Sequence, residues 1–234
     1  MTFLWIPLTI AAAFLQNVRS ALQKHLKGRL GTTGATFVRF GYGFPVAILY
    51  LVVLIIVFDF ELPAPNPSFI GFVIMGGLAQ ITATALLVTL FDARNFAVGT
   101  TYSKTETVQA AVFALIFLGE SISLTATLGI LVSLVGVIAI SAAKGQAGLG
   151  SIAKGWTNRA ALTGLASGAF FGIAAISVRG GSLSLGGDGF LVQAAYTLAV
   201  MLIFQTIIMA TYMAIRHASE LREVLASWRI AMWV

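Results

Sequence analysis

The chain has 234 residues, 59% of them hydrophobic and 9% charged. Soluble domains average about 45–50% apolar and about 25% charged residues, so too little polar surface is present here to cover a water-facing exterior. A mean hydropathy of +0.96 makes lipid the solvent for most of the chain. The formal net charge of +6 reads as loop charge beside an anionic leaflet rather than a nucleic-acid footprint. With no cysteine, disulfides, thiolate metal sites and cysteine nucleophiles are excluded.

The opening MTFLWIPLTIAAAFLQ has no basic residue before Arg19, so it reads as a retained membrane helix and not a signal peptide. Crossing roughly 30 Å of hydrocarbon takes about 20 residues. Apolar stretches of that size lie near 3–20, 40–58, 69–91, 123–143, 160–178 and 190–215. A further segment, TTYSKTETVQAAVFALIFLGES, is charge-free only over 107–119. It reaches a spanning length only by starting near Gly99, which draws Lys104, Glu106 and Gln109 into the membrane. An eighth span begins near Ser227. The expectation is an all-α polytopic bundle of about seven full transmembrane helices plus the start of another.

Between spans, ELPAPNPS stacks three prolines and cannot be helical throughout. The stretch 144–155 is glycine-rich, basic and the longest linker. Gly164, Gly168 and Gly172 recur at spacing four, which places a glycine groove on one helix face. Lysine and arginine gather in alternate loops: Arg19, Lys24, Lys27, Arg29, Arg94, Lys144, Lys154, Arg159, Arg216 and Arg222 on one side, against Arg179 with Asp59, Glu61 and Glu120 on the other. The positive-inside rule then puts the N-terminus outside and 144–155 in the cytoplasm.

A shift of about 155 residues lays Lys24 on Arg179 and Leu30-Gly31 on Leu185-Gly186, an internal repeat of the kind secondary transporters carry. Five spans per half make the halves inverted. Within the first half, LIFLGESISLTATLGILVSLVGVIAI joins an apolar run, Gly119-Glu120, a polar turn, and Gly129 and Gly136. With Lys24 and Arg39-Phe40, this stretch resembles the EamA-like branch of the drug/metabolite transporter superfamily. The resemblance implies ten helices in two inverted five-helix repeats. It divides this chain into a first repeat at 1–143, a linker at 144–157, and an incomplete second repeat at 158–234. It further implies a multi-pass protein of the bacterial cytoplasmic (inner) membrane.

Polar residues inside the spans are the substrate-cavity candidates. Helical spacing puts Tyr102, Glu106 and Gln109 on one face, and a carboxylate at that depth needs a wet cavity or a basic partner. Gln16, Asn17, Arg39, Gln80, Thr84, Gln193 and Tyr196 complete the set. For the amides and hydroxyls, helix–helix hydrogen bonding is the competing role; for Arg19 and Arg39 it is snorkelling to headgroups. Gly119 and Glu120 read as a structural turn, and His25 and His217 as solvated loop residues.

The leading function is a secondary transporter moving a small organic metabolite by alternating access, with protons as a coupling partner to be weighed and a second copy of the chain as another. No cofactor or metal is called for. The alternatives are an integral membrane enzyme, against which the absence of HExxH, GxSxG and P-loop motifs counts, and a non-transporting subunit or inactive truncation. The charge asymmetry makes a direct prediction: cysteines placed at Ser68 and Gln146 react with an impermeant maleimide from opposite sides of the membrane. Labelling of Gln146→Cys in intact cells reverses the orientation.

Overall fold

A computed structural model describes residues 5–92, 102–119, 123–144, 159–187 and 190–233. The linker after Lys144, Arg94 and Glu120 lie outside the described residues. All regular structure among those described is helical. The long helices are α1 (Trp5–Gly41), α2 (Gly43–Phe58), α3 (Pro67–Thr89), α4 (Glu106–Phe117), α5 (Leu124–Lys144), α6 (Arg159–Ser184) and α7 (Phe190–Arg216), followed by the short α8 (Ala218–Ala226) and α9 (Trp228–Ala231).

Among the described residues, four segments are long and apolar enough to cross a membrane: Ile6–Phe58, Pro67–Leu90, Arg159–Ser184 and Phe190–Arg216. The first covers 53 residues because α1 and α2 run almost end to end. Gly31 breaks α1, with φ +66° and ψ −173°, a backbone region that is essentially glycine-only. Across the break the Gln23 amide donates to the Ala35 carbonyl at 2.8 Å, so the two arms fold back side by side. The second apolar segment therefore begins just after Gly31 and not at residue 40. Only a weak point at Tyr42 separates α1 from α2, where Pro45 cannot donate to the Gly41 carbonyl.

At the opposite end Asp59 closes α2 in the left-handed region, with φ 56°, and the proline-rich turn follows. Asn66 then caps α3, accepting from the Phe69 N–H at 2.8 Å while its amide donates to the Ser184 carbonyl at the end of α6. One side chain thus starts one helix and ties down another. The sequence TTYSKTE does not continue α4 backward: Lys104 and Thr105 form a turn, and α4 starts at Glu106 with 12 residues.

Helix α6 sits at the centre, between α3, α4 and α7. Its glycines are buried, as their spacing predicts. A Cβ at Gly168 would lie 3.0 Å from the Ser103 carbonyl oxygen, and one at Gly172 3.1 Å from the Ala110 nitrogen, so this groove receives the α4 segment. Towards α3, Gly180 accommodates Phe72, and Gly76 of α3 faces Ser177. Ser167 donates to the Ala83 carbonyl at 2.9 Å and meets Ser103 Oγ at 3.3 Å. Lipid tails are as apolar as leucine, so such close backbone approach and buried hydroxyl bonds supply the association. Leucines, isoleucines and valines such as Leu49, Ile56, Val57 and Val132 point outward instead.

A second cluster gathers Leu26, Leu30, Phe40, Met213 and Val224, among others, from α1, α7 and α8. Here Glu220 of α8 accepts from the Gly34 N–H at 3.1 Å, and Tyr42 donates to the Val224 carbonyl at 3.1 Å. Glu220 thereby caps the arm that starts after Gly31, where the helix dipole favours an anion. His217 pairs with the same carboxylate at 3.2 Å and is not simply solvated.

Two stability predictions follow from these contacts. A Cβ at Gly76 would meet Ser177 Cβ at 2.5 Å, whereas Gly71 has open space; Gly76→Val should therefore cost at least about 1–3 kcal/mol and lower the melting temperature in detergent. Gly71→Val should stay near the parent. Removing the cap with Glu220→Ala should cost about 1–2 kcal/mol, and the exposed neighbour Arg222→Ala close to nothing. Equal melting temperatures for Glu220→Ala and the parent would show that the cap carries no stability.

Candidate substrate cavity

The fold carries polar side chains from three helices, and an aromatic one from a fourth, to two adjoining pockets. The arm of α1 before Gly31 brings Gln16, and the arm after it brings Arg39. Gln80 comes from α3, Glu106 and Thr107 from the start of α4, and Phe171 from α6. A cavity of about 290 Å³ is lined by Gln16, Gln80, Glu106, Thr107, Phe171 and Gly172, together with small residues of α6. A second pocket of about 520 Å³ adjoins it through Gln16 and is lined by Leu15, Arg19, Arg39 and Trp233.

Arg39 does not extend to a headgroup. Its Nη1 donates to Thr84 Oγ1 at 3.3 Å, and its guanidinium lies 5.3 Å from the Phe171 ring centre. Thr84 in turn donates to the Gln80 carbonyl at 2.8 Å. The Gln80 side-chain oxygen accepts from Gln205 of α7 at 3.0 Å. A bonded chain therefore runs Arg39–Thr84–Gln80–Gln205 through the bundle. Gln205 is 0% exposed, and its own Oε1 is buried without a hydrogen-bond partner. Glu106 lines the cavity within electrostatic reach of Arg39, Arg19 and Lys104. A carboxylate and two guanidiniums share one low-dielectric interior, where each charge needs the others or a ligand.

The remaining candidates disperse. The turn at Lys104–Thr105 separates Tyr102, which is buried, from Glu106. Gln109 points away from the cavity, donating to Thr105 Oγ1 at 2.8 Å and towards the Leu165 carbonyl at 3.4 Å. The shared face of Tyr102, Glu106 and Gln109 thus fails because the helix does not run through the turn. Asn17 is exposed and bonds back to the Ala13 carbonyl at 3.0 Å. Gln193 and Tyr196 sit near the proline-rich turn: Gln193 donates to the Gly186 and Gly187 carbonyls, and Tyr196 stacks on Phe69 with ring centres 5.5 Å apart. Gln193 thus ties down the chain after α6, and Tyr196 packs α7 on the start of α3. Gly119 turns the chain after α4 with φ +64°.

Phe171, Gln205 and Trp233 were not legible as site residues. Phe171 lies three positions from Gly168 on an apolar helix, and nothing in its neighbours marks it. Gln205 had a signal, being the lone amide in the middle of a 27-residue apolar helix. The described residues contain no group of three or more His, Cys, Asp or Glu placed to hold a metal ion.

The EamA-like transporter family matches residues 3–142, which takes in α1 to α4 and most of α5. The chain belongs to this family. Comparison with curated proteins and with solved structures gives no match. Membership agrees with the apolar helices in making the chain a multi-pass membrane transporter of the drug/metabolite type. In an EamA-like protein, the polar cavity between α1, α3, α4 and α6 is the natural candidate for the solute path.

Proposed function

We propose that this protein is a secondary transporter that carries a small organic solute across the cytoplasmic membrane by alternating access, with the Gln16–Gln80–Glu106 cavity and the adjoining Arg39 pocket as its solute site. One observation carries the reading: charged and amide side chains from three helices converge on a cavity inside an otherwise apolar bundle. Intramembrane ionisable groups are expensive and mark solute or ion pathways. An interrupted segment at that cavity is a recurrent transporter feature, and the turn before Glu106 is such an interruption.

Inverted repeats supply the motion in this reading. The supporting detail is local: the matched glycines Gly31 and Gly186 both adopt positive φ, +66° and +67°, each just after a leucine and between two apolar helical segments. The first repeat would cover 1–143 and the second begin near 158, and the two would rock about the cavity. Glu106 is the one carboxylate among the residues lining the two pockets, so it is the group through which a proton would couple. Taking up a proton there removes the counter-charge of Arg39 and Arg19, which changes what the cavity holds best.

The test is export from cells expressing the protein, read by mass spectrometry of the medium across a metabolite panel. Glu106→Gln keeps the shape and removes the charge. It should lower export of the transported solute at least tenfold at unchanged membrane abundance, while Asn17→Ala, outside the cavity, stays within about twofold of the parent. Parental export by Glu106→Gln across the pH range would sink this assignment.

A further inference from the structure

Among the described residues, the charges around the cavity do not balance. Arg19 and Arg39 both line the larger pocket. The described carboxylate within electrostatic reach of both, Glu106, lies on the adjoining cavity and is also within reach of Lys104. Arg39 spends one nitrogen on Thr84 and rests its faces near Phe171 and Phe40. Arg19 Nε is buried and has no hydrogen-bond partner among the described residues. Two guanidiniums on one pocket wall, sharing a single carboxylate among the described residues, are an incomplete arrangement. An incoming oxyanion completes it, because the guanidinium fork matches a carboxylate with two parallel bonds.

We infer that the Arg19–Arg39 pocket binds the carboxylate of a small organic acid, whose apolar body lies against Leu15, Ala12 and Trp233. The inference rests on the transport reading above and deepens it by fixing the charge of the solute. A volume of about 520 Å³ lies within the usual range for small-molecule sites, about 300–1,000 Å³. An oxyanion can reach such a pocket on a dissolved acid or on a phospholipid headgroup. Here the pocket shares Gln16 with the Glu106 cavity, which argues for a compact dissolved acid rather than a lipid with two acyl chains.

The experiment uses the full chain in phosphatidylcholine nanodiscs at about 150 mM salt, where surface charge is screened beyond about 8 Å. Benzoate and its neutral isostere benzamide are titrated against tryptophan fluorescence, with Trp233→Phe assigning the signal to the pocket. Benzoate should give a saturable response at least tenfold tighter than benzamide. Arg19→Gln should weaken it at least tenfold without moving the melting temperature, since no hydrogen bond to Nε is lost. Equal responses to the two probes, silence to both, or unchanged benzoate affinity in Arg19→Gln would each overturn the inference. A second set of discs with phosphatidylglycerol separates the sources. Unchanged benzoate affinity supports the dissolved acid; a tenfold loss, with phosphatidylglycerol retained by the parent and released by Arg19→Gln in native mass spectrometry, assigns the pocket to lipid and overturns it. Failure of the transport reading itself shows separately, as undiminished export by Glu106→Gln.

Discussion

The structure depends on how closely α6 lets its neighbours approach. In lipid no hydrophobic force drives one apolar helix onto another, so association needs dispersion contacts and interhelical hydrogen bonds. Glycines at 168, 172 and 180 of α6 and at 76 and 77 of α3 leave room for Ser103, Ala110, Phe72, Ser177 and Phe204. Ser167 then bonds the Ala83 carbonyl across the gap. If these surfaces carried larger side chains, α3 and α4 would stand off from α6, and Gln80 and Glu106 would no longer share a wall with Phe171.

That packing also determines where charge can sit. Arg39 is placed by the fold-back at Gly31, bonded to Thr84 and shielded by Phe171. Its guanidinium lies inside the bundle, where opposing charge is scarce and the dielectric is low. The same fold-back brings Arg19 to the pocket from the other arm. Glu106 heads the helix that begins just after the turn at Lys104–Thr105, within electrostatic reach of Lys104 and the two arginines. The site is therefore an outcome of three backbone events: one glycine break, one turn, and one glycine groove.

Both ends of the bundle are held by single polar side chains doing two jobs. Asn66 starts α3 and fastens the end of α6. Glu220 caps the arm after Gly31 and pairs with His217. Each satisfies backbone N–H groups that a helix start leaves without an intrahelical partner, and each crosses between segments far apart in sequence. They fix helix ends without adding bulk to the apolar faces.

Composition alone determined that the chain is a helical membrane protein, because burying this much apolar surface with so little charge has no aqueous solution. The short stretches around Gly119 and Gly129 pointed to the EamA-like family, and the four-residue spacing of Gly164, Gly168 and Gly172 gave away a packing groove. Hydropathy could not tell which polar residues meet. Gln109 and Glu106 are three positions apart, yet one bonds helix to helix and the other lines the cavity. Gln193 and Tyr196 look as good as Gln80 in sequence, but one bonds the chain after α6 and the other stacks on Phe69. Arg39 reads equally well as a headgroup anchor until α3 and α6 are seen around it. Such choices rest on contacts between segments as distant as Gln80 and Gln205, which no local periodicity encodes. Only the tertiary structure, by deciding which helix faces meet, separates a bonded amide from one that faces a cavity.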